Sequence, residues 1–310
     1  MSQQLVRRFV QLVPTVFVVA TLVFIVFRIV PGDPATLMAG PEATAADRAL
    51  IRHELGLDRP VYVQYVLFLR DVVRGDLGKS MYSGRPVVEE VLTHYPATLL
   101  LAVASLFIAV PIGLALGTIA AVYQRSPLDY GGMAFAVAGV SLPNFWLGLM
   151  LMILFAVQLR LLPSSGIGGL RYLILPAISL GLPGTAIIAR LTRASLIDTL
   201  NRDYVRTARA KGLRDRVVVV RHALRNALIP TVTAIGLHFG YLLGGSVIIE
   251  TLFSWPGMGY LLISAVRDRD YPVVEGAVLV FAFSFILINA LVEVLYTYLD
   301  PRLGGSVPGS

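Results

Sequence analysis

The sequence predicts an all-α polytopic membrane protein with six transmembrane helices and a folded external cap after the first. Three observations predict it. Of the 310 residues, 56% are Ala, Val, Ile, Leu, Met, Phe, Trp, Tyr or Cys and only 15% are charged. Soluble domains carry about 25% charged residues, so a chain this apolar cannot cover itself with polar surface in water. Six apolar stretches approach the length of about 20 residues that crosses a hydrocarbon core. Lysine and arginine are distributed unevenly between the segments joining those stretches. The composition excludes a soluble enzyme, a disordered tail and a fibrous repeat. The absence of cysteine removes disulfides, Cys–zinc sites, Fe–S clusters and thiol nucleophiles.

The first span, Phe9–Phe27, follows Arg7 and Arg8 and carries no charge. It is longer than a secretory apolar region of about 7–15 residues and has no small-x-small cleavage site, so it reads as an uncleaved anchor. The next segment, Pro31–Thr98, holds seven basic and nine acidic residues. Helices are expected at Ala45–Leu55 and Tyr62–Arg74, bracketed by turn signals at Pro31–Pro34, Leu57–Pro60 and Gly75–Gly78. The second span, Leu99–Val122, contains Gly113-x-x-x-Gly117, a spacing that lets helices pack closely in lipid. The third is Gly132–Val157. The fourth, Leu173–Ala189, is the shortest, with Pro176 placed at its first helical position and Pro183 at a kink. A connection then runs from Arg190 to Arg225 with ten basic and three acidic residues. It reads as a helix, a break at Gly212, and a helix to Ala227 before Pro230. The fifth span, Ile229–Ile249, repeats glycine at 236, 240 and 244 as a further packing ladder. The sixth is Gly276–Leu299, and Gly304–Ser310 reads as a flexible tail. Arg7, Arg8, Arg125 and the Arg190–Arg225 connection fall on one side of the membrane. By the positive-inside rule both termini are cytoplasmic and Pro31–Thr98 is external.

Several chemistries fail on spacing. Gly75-Asp76-Leu77-Gly78-Lys79-Ser80 resembles the end of a phosphate loop, but Val73 stands where the first glycine is required. The four histidines, His53, His94, His222 and His238, lack metal-ligand spacing. Ser246 and His238 share a span but sit about 12 Å apart along a helix, too far for a nucleophile and its base. The basic connection interleaves one aromatic, Tyr204, and is tethered at both ends. It fits anionic headgroups and not nucleic acid. Polar residues inside spans line cavities or interfaces, which makes Asn144, His238, Tyr241, Ser246 and Asn289 pathway candidates.

The basic connection carries the decisive motif. Asp203-Tyr204-Val205-Arg206-Thr207-Ala208-Arg209-Ala210-Lys211-Gly212-Leu213, followed by Arg221-His222-Ala223-Leu224-Arg225-Asn226-Ala227-Leu228-Ile229-Pro230, resembles the EAA coupling loop of ATP-binding-cassette importer permeases. The version is that of the dipeptide, oligopeptide, nickel and glutathione branch. Other segments agree in order: Pro31-Gly32-Asp33-Pro34, Gly56-Leu57-Asp58-x-Pro60, Gly75-Asp76-Leu77-Gly78-x-Ser80, Gly244-Gly245-Ser246-x-x-x-Glu250-x-x-Phe253-x-Trp255-Pro256-Gly257, Asp270-Tyr271-Pro272 and Asp300-Pro301-Arg302. The chain departs from the general motif at Arg206-Thr207-Ala208, where the acidic residue is missing and only the last alanine survives.

The resemblance implies the MetI-like fold of a type I importer permease in the inner membrane. Residues 1–94 would hold the first helix and external region. Residues 95–303 would form the core, with the coupling loop at 190–229. It implies a second homologous permease, two cytoplasmic ATPase subunits that bind the ATP and magnesium, and an external solute-binding protein. This chain itself would be non-catalytic and hold no cofactor. Tyr204, Arg206, Thr207, Ala208, Ala210, Gly212 and Leu213 would form the coupling surface, with Ala208 buried against the ATPase and arginines at the rim. The implied cargo is a short peptide, such as a dipeptide, an oligopeptide or a glutathione-like molecule, with a nickel chelate as the alternative. An ATP-independent transporter or channel would need a coupling-ion site at mid-membrane, for which the sequence offers only Glu293, near one helix end.

Overall fold

A computed structural model describes residues 2–29, 34–39, 43–54 and 56–299. The regular elements among them are helices, as expected. Pro31–Asp33, Pro41, Glu42, Leu55 and everything from Asp300 onward lie outside the described residues, and so does the side chain of Glu293. Contacts divide the chain into two units: Met1–Ala97 with Pro256–Ile286, and Thr98–Trp255 with Leu287–Ser310.

The first unit contains α1 (Ser2–Ile29), α2 (Pro34–Ala39), α3 (Ala45–Glu54), α4 (Val61–Arg74) and α13 (Met258–Asp268). It also takes the beginnings of α5 (Val87–Val122) and α14 (Tyr271–Leu299). A reciprocal cap starts α3. The Thr44 hydroxyl accepts the Asp47 N–H at 3.2 Å, and the Asp47 carboxylate accepts the Thr44 N–H at 2.9 Å. This is a capping box with Asp in place of Glu, and the hydrogen bonds from Thr44 hold the Asp47 carboxyl below its usual range. Gly75 ends α4 in the left-handed conformation, so the phosphate-loop lookalike is a helix cap followed by a turn. Phe24 of α1 packs on Tyr65 and Phe68 of α4, with ring centroids 5.2 and 5.4 Å apart, and the Tyr65 hydroxyl meets Thr21 at 2.6 Å. Asp270 fixes the loop before α5. It accepts from the Ser80 hydroxyl and from the N–H groups of Met81 and Tyr82. The apolar centre is Val87, Val91, Met258, Ala265, Val273 and Ala277.

In the second unit α8 (Leu170–Leu200) is the central element: 67% of its apolar window is buried, against 28–33% for the other three long spanning helices. This corrects the sequence reading in two respects. The fourth span is not the shortest helix, and Pro176 lies in its interior, since the first helical residue is Leu170. Burial on nearly every face outweighs the missing N–H groups of Pro176 and Pro183. Gly113 and Gly117 of α5 face α8 as the spacing implied. A Cβ at Gly117 would stand 2.5 Å from the Ala189 carbonyl oxygen. The ladder at 236, 240 and 244 behaves differently. Gly236 packs on Val292, whereas Gly244 faces open space.

The third span is also not one helix. It is α6 (Pro127–Ser141) and α7 (Asn144–Leu151), the latter continued by a π-helical stretch Met152–Gln158, and the two halves are bent by 102°. Leu142 at φ −91°, ψ 130° is extended because Pro143 excludes the helical conformation from the residue before it. The fifth span begins earlier than expected. α9 (Asp203–Ala210), α10 (Asp215–Val217), a π-helical stretch Val218–Leu224, α11 (Arg225–Gly245) and α12 (Val247–Leu252) follow α8. Pro230 lies within α11, deep inside the continuous helical run Asp215–Gly245, where it removes one backbone N–H from the helix. By length and apolarity four helices among the described residues can each cross a membrane, and five if the bent pair counts as one span. The apolar part of α1, Val13–Ile29, is shorter.

Candidate coupling loop and translocation groove

The basic connection folds as a helical knuckle. Val205 and Ala208, three residues apart, fall on one face of α9 and join a buried cluster with Leu196, Val218, Val219, Ala223 and Ala227. Ala208 is 8% exposed. It therefore packs into its own chain and does not present a surface to a partner. The outward face carries Tyr204, Thr207 and Ala210, continued by Leu213, which is 40% exposed. Arg206 is also exposed and lies 3.7 Å from Asp203, while Arg209 lies 3.4 Å from Asp215. Gly212 turns the chain at φ +77° with nothing near its absent side chain, a conformation that L-residues reach only with strain. Asn226 donates to the Tyr204 hydroxyl at 3.0 Å, so the outer helix is tied to the start of α11.

The pathway candidates separate. Asn144 and Tyr241 come together in an open groove of about 580 Å³, lined by the α6–α7 bend, Gly244, Gly245 and the first turn of α12. Tyr241 is 57% exposed. His238 stacks on Tyr241 at 5.9 Å between ring centroids, but it is buried and its Nε2 has no hydrogen-bond partner among the described residues. It fills the space left by Gly184, where an added Cβ would overlap the imidazole. Ser246 is fully buried and does not line the groove. Its hydroxyl donates to the Leu243 carbonyl at 3.1 Å and meets the Glu250 carboxylate at 2.8 Å. The same Glu250 oxygen accepts from Thr98 at 2.8 Å. Asn289 sits half-buried in α14, its Oδ1 without a partner among the described residues.

Comparison with known proteins agrees with this architecture. Residues 113–305 match the model of the binding-protein-dependent transport system inner membrane components, and residues 1–102 match that family's N-terminal model. The chain belongs to this family. It is 47% identical to the glutathione transport system permease protein GsiC of Salmonella choleraesuis (strain SC-B67) over 303 residues, which cover 98% of this chain and 99% of the relative. The corresponding Escherichia coli (strain K12) protein is 46% identical over the same length and coverage. Among solved structures, a methionine ABC transporter MetNI in an inward-facing conformation aligns with TM-score 0.60 at 18% identity. That alignment covers 68% of this chain and 96% of the other.

The protein is thus a multi-pass inner-membrane permease subunit of an ABC importer, with the MetI-like fold. Importers of this family work with ATPase and binding-protein partners. One permease feature is not legible from motif spacing. Asp129, at the start of α6, receives the Arg193 guanidinium of α8 on both oxygens, at 2.6 and 2.7 Å. It also accepts the Arg125 N–H at 2.9 Å. Arg193 counts in the sequence only as one positive charge of the basic connection. The available signal is Ser126-Pro127-Leu128-Asp129, a helix-start pattern that places a carboxylate in the first turn. The strut ties the turn between α5 and α6 to the last turns of α8, ahead of α9.

Proposed function

We propose that this permease forms half of the pathway of an importer for glutathione-like short peptides. A second homologous permease completes the pathway, an external binding protein delivers the cargo, and two cytoplasmic ATPase subunits supply the energy. The observation that carries the cargo class is the end-to-end match to the glutathione permeases. The excess of arginine in the connection Arg190–Arg225 supports cytoplasmic termini and an external Pro31–Thr98. The outward face Tyr204, Thr207, Ala210 and Leu213 supports docking in an ATPase groove. Aromatic and aliphatic groups can be desolvated there, with the flanking arginines at the rim. Closure of the ATPase pair then moves the knuckle and, through the Asp129–Arg193 strut, the helices around the groove.

The test is uptake by proteoliposomes holding the permease pair and ATPases. Labelled glutathione should accumulate only with internal ATP and the binding protein outside. Accumulation of a nickel chelate in place of glutathione would refute the cargo, and uptake without ATP would refute the coupling.

A further inference from the structure

In the first unit, α4 is an apolar helix that the described residues do not cover. Ten of its 14 residues are aliphatic or aromatic, yet none is buried. Gln64, Tyr65 and Phe68 turn toward α1, where they meet Arg28, Thr21 and Phe24. A different face is left open. Tyr62, Val66, Leu69 and Val73 follow one another at spacings of four, three and four, which places them on one stripe of the helix. Tyr62 is 72% exposed, Val66 62% and Val73 87%. Arg70 and Arg74 border the stripe on one side. A helix facing water carries polar residues at such positions, so this stripe is built for an apolar cover.

The cover follows from where α4 lies along α1. Arg28 stands at the polar end of the apolar run Val13–Ile29, with its guanidinium 4.8 Å from the centre of the Phe24 ring. Gln64 of α4 accepts from Arg28 at 3.0 Å. The next residue, Tyr65, reaches further in, to the Thr21 hydroxyl at 2.6 Å and edge-on to the Phe17 ring at 6.4 Å. Thr21 lies seven residues inward of Arg28, about 10 Å at 1.5 Å per residue. α4 therefore crosses α1 over the last ~10 Å of its apolar run, and interfacial helices bury their apolar face about 5–10 Å deep. Val18, Leu22 and Ile25, each one position beyond a residue that faces α4, are exposed apolar groups on the adjoining face of α1. The stripe lies at the level of that face, so the same apolar solvent covers both.

We propose that α4 is an interfacial helix whose stripe of Tyr62, Val66, Leu69 and Val73 is seated in the outer leaflet of the bilayer. The stripe meets the first methylenes of the acyl chains, and Arg70 and Arg74 lie at headgroup level. The proposal rests on the reading that α1 crosses the membrane with Pro31–Thr98 outside. The external region is then held by two elements, α1 across the bilayer and α4 along it. A soluble partner on this stripe would have to displace lipid at the level of Thr21, so lipid is the occupant that the depth selects.

The chain has no native cysteine, so single cysteines report one position each. Val66→Cys, Val73→Cys and, on the opposite side of α4, Asp71→Cys carry a nitroxide label in the permease assembled with cysteine-free ATPases in nanodiscs. Val66 and Val73 are exposed, so folding tolerates the label there. Electron paramagnetic resonance reads collisions with oxygen, which concentrates in hydrocarbon, and with a water-soluble nickel chelate. At 66 and 73 oxygen access should exceed chelate access several-fold, and at 71 the order should reverse. Chelate access at 66 and 73 equal to that at 71 would put the stripe in water and overturn the proposal. Low access to both reagents at 66 and 73 would overturn it as well, by showing that protein covers the stripe. So would loss of oxygen access when the binding protein is added, which would assign the stripe to that partner. Sidedness is read separately. Tyr82→Cys, at an exposed position, should react with a membrane-impermeant maleimide in right-side-out vesicles. Reaction only after the vesicles are opened would refute the external reading and leave the interfacial seat standing in the other leaflet.

Discussion

Replacing Asp129 by asparagine removes the charge from the strut between α6 and α8 and keeps its shape. The Asp129 side chain is 2% exposed and that of Arg193 is 29% exposed. Breaking a buried ion pair from one side costs about 3–5 kcal/mol because the other charge stays buried. Arg193 is partly open to water, so the cost falls at or just below the lower end of that range, about 2–3 kcal/mol. With about 2–4 °C per kcal/mol for a unit of this size, the thermal midpoint should fall by about 5–10 °C. The assay is a fluorescence-monitored thermal scan of the purified chain in detergent, with all variants at one scan rate because such unfolding is often irreversible. Replacing both partners with apolar residues, Asp129→Leu with Arg193→Met, should destabilise less than the sum of the single changes, since no charge is then left unpaired. A midpoint for Asp129→Asn within about 1 °C of wild type, or a double variant at least as damaging as the sum, would refute the strut.

Two further outcomes separate inward from outward faces. Ala208→Trp overfills the cluster around Leu196 and Val218 and should lower the thermal midpoint, whereas Thr207→Trp on the outer face should leave the midpoint unchanged and reduce ATPase co-purification and transport. Thr207→Trp with full ATPase recovery and transport would refute docking on that face. In the groove, Tyr241→Ala and Asn144→Ala should reduce uptake while the complex still assembles, and unchanged uptake kinetics in both would return these residues to a packing role.

The sequence by itself determined the polytopic all-α class, the order of the apolar stretches, the helices expected at Ala45–Leu55 and Tyr62–Arg74, the turn at Gly212 and the family. These follow from local quantities: apolar run length, charge between runs, and a glycine where φ is +77°. The bend at Leu142–Pro143 was legible in principle, because a residue before proline is driven out of the helix, but the apolarity of Gly132–Val157 continues across it and hides the break. Only the tertiary structure decided which of two neighbouring residues faces inward. Ala208 and Thr207 are adjacent in one motif, yet the cluster of Val218, Val219 and Ala223 takes Ala208 and leaves Thr207 outside. Likewise Ser246, His238 and Tyr241 share one stretch of chain, but Glu250 and Thr98 bury Ser246, Gly184 makes room for His238, and Tyr241 alone reaches the groove. The Asp129–Arg193 strut joins residues 64 positions apart. No local pattern encodes such a pairing, because in an apolar interior a charge's environment is set by whichever distant segment brings the opposite charge.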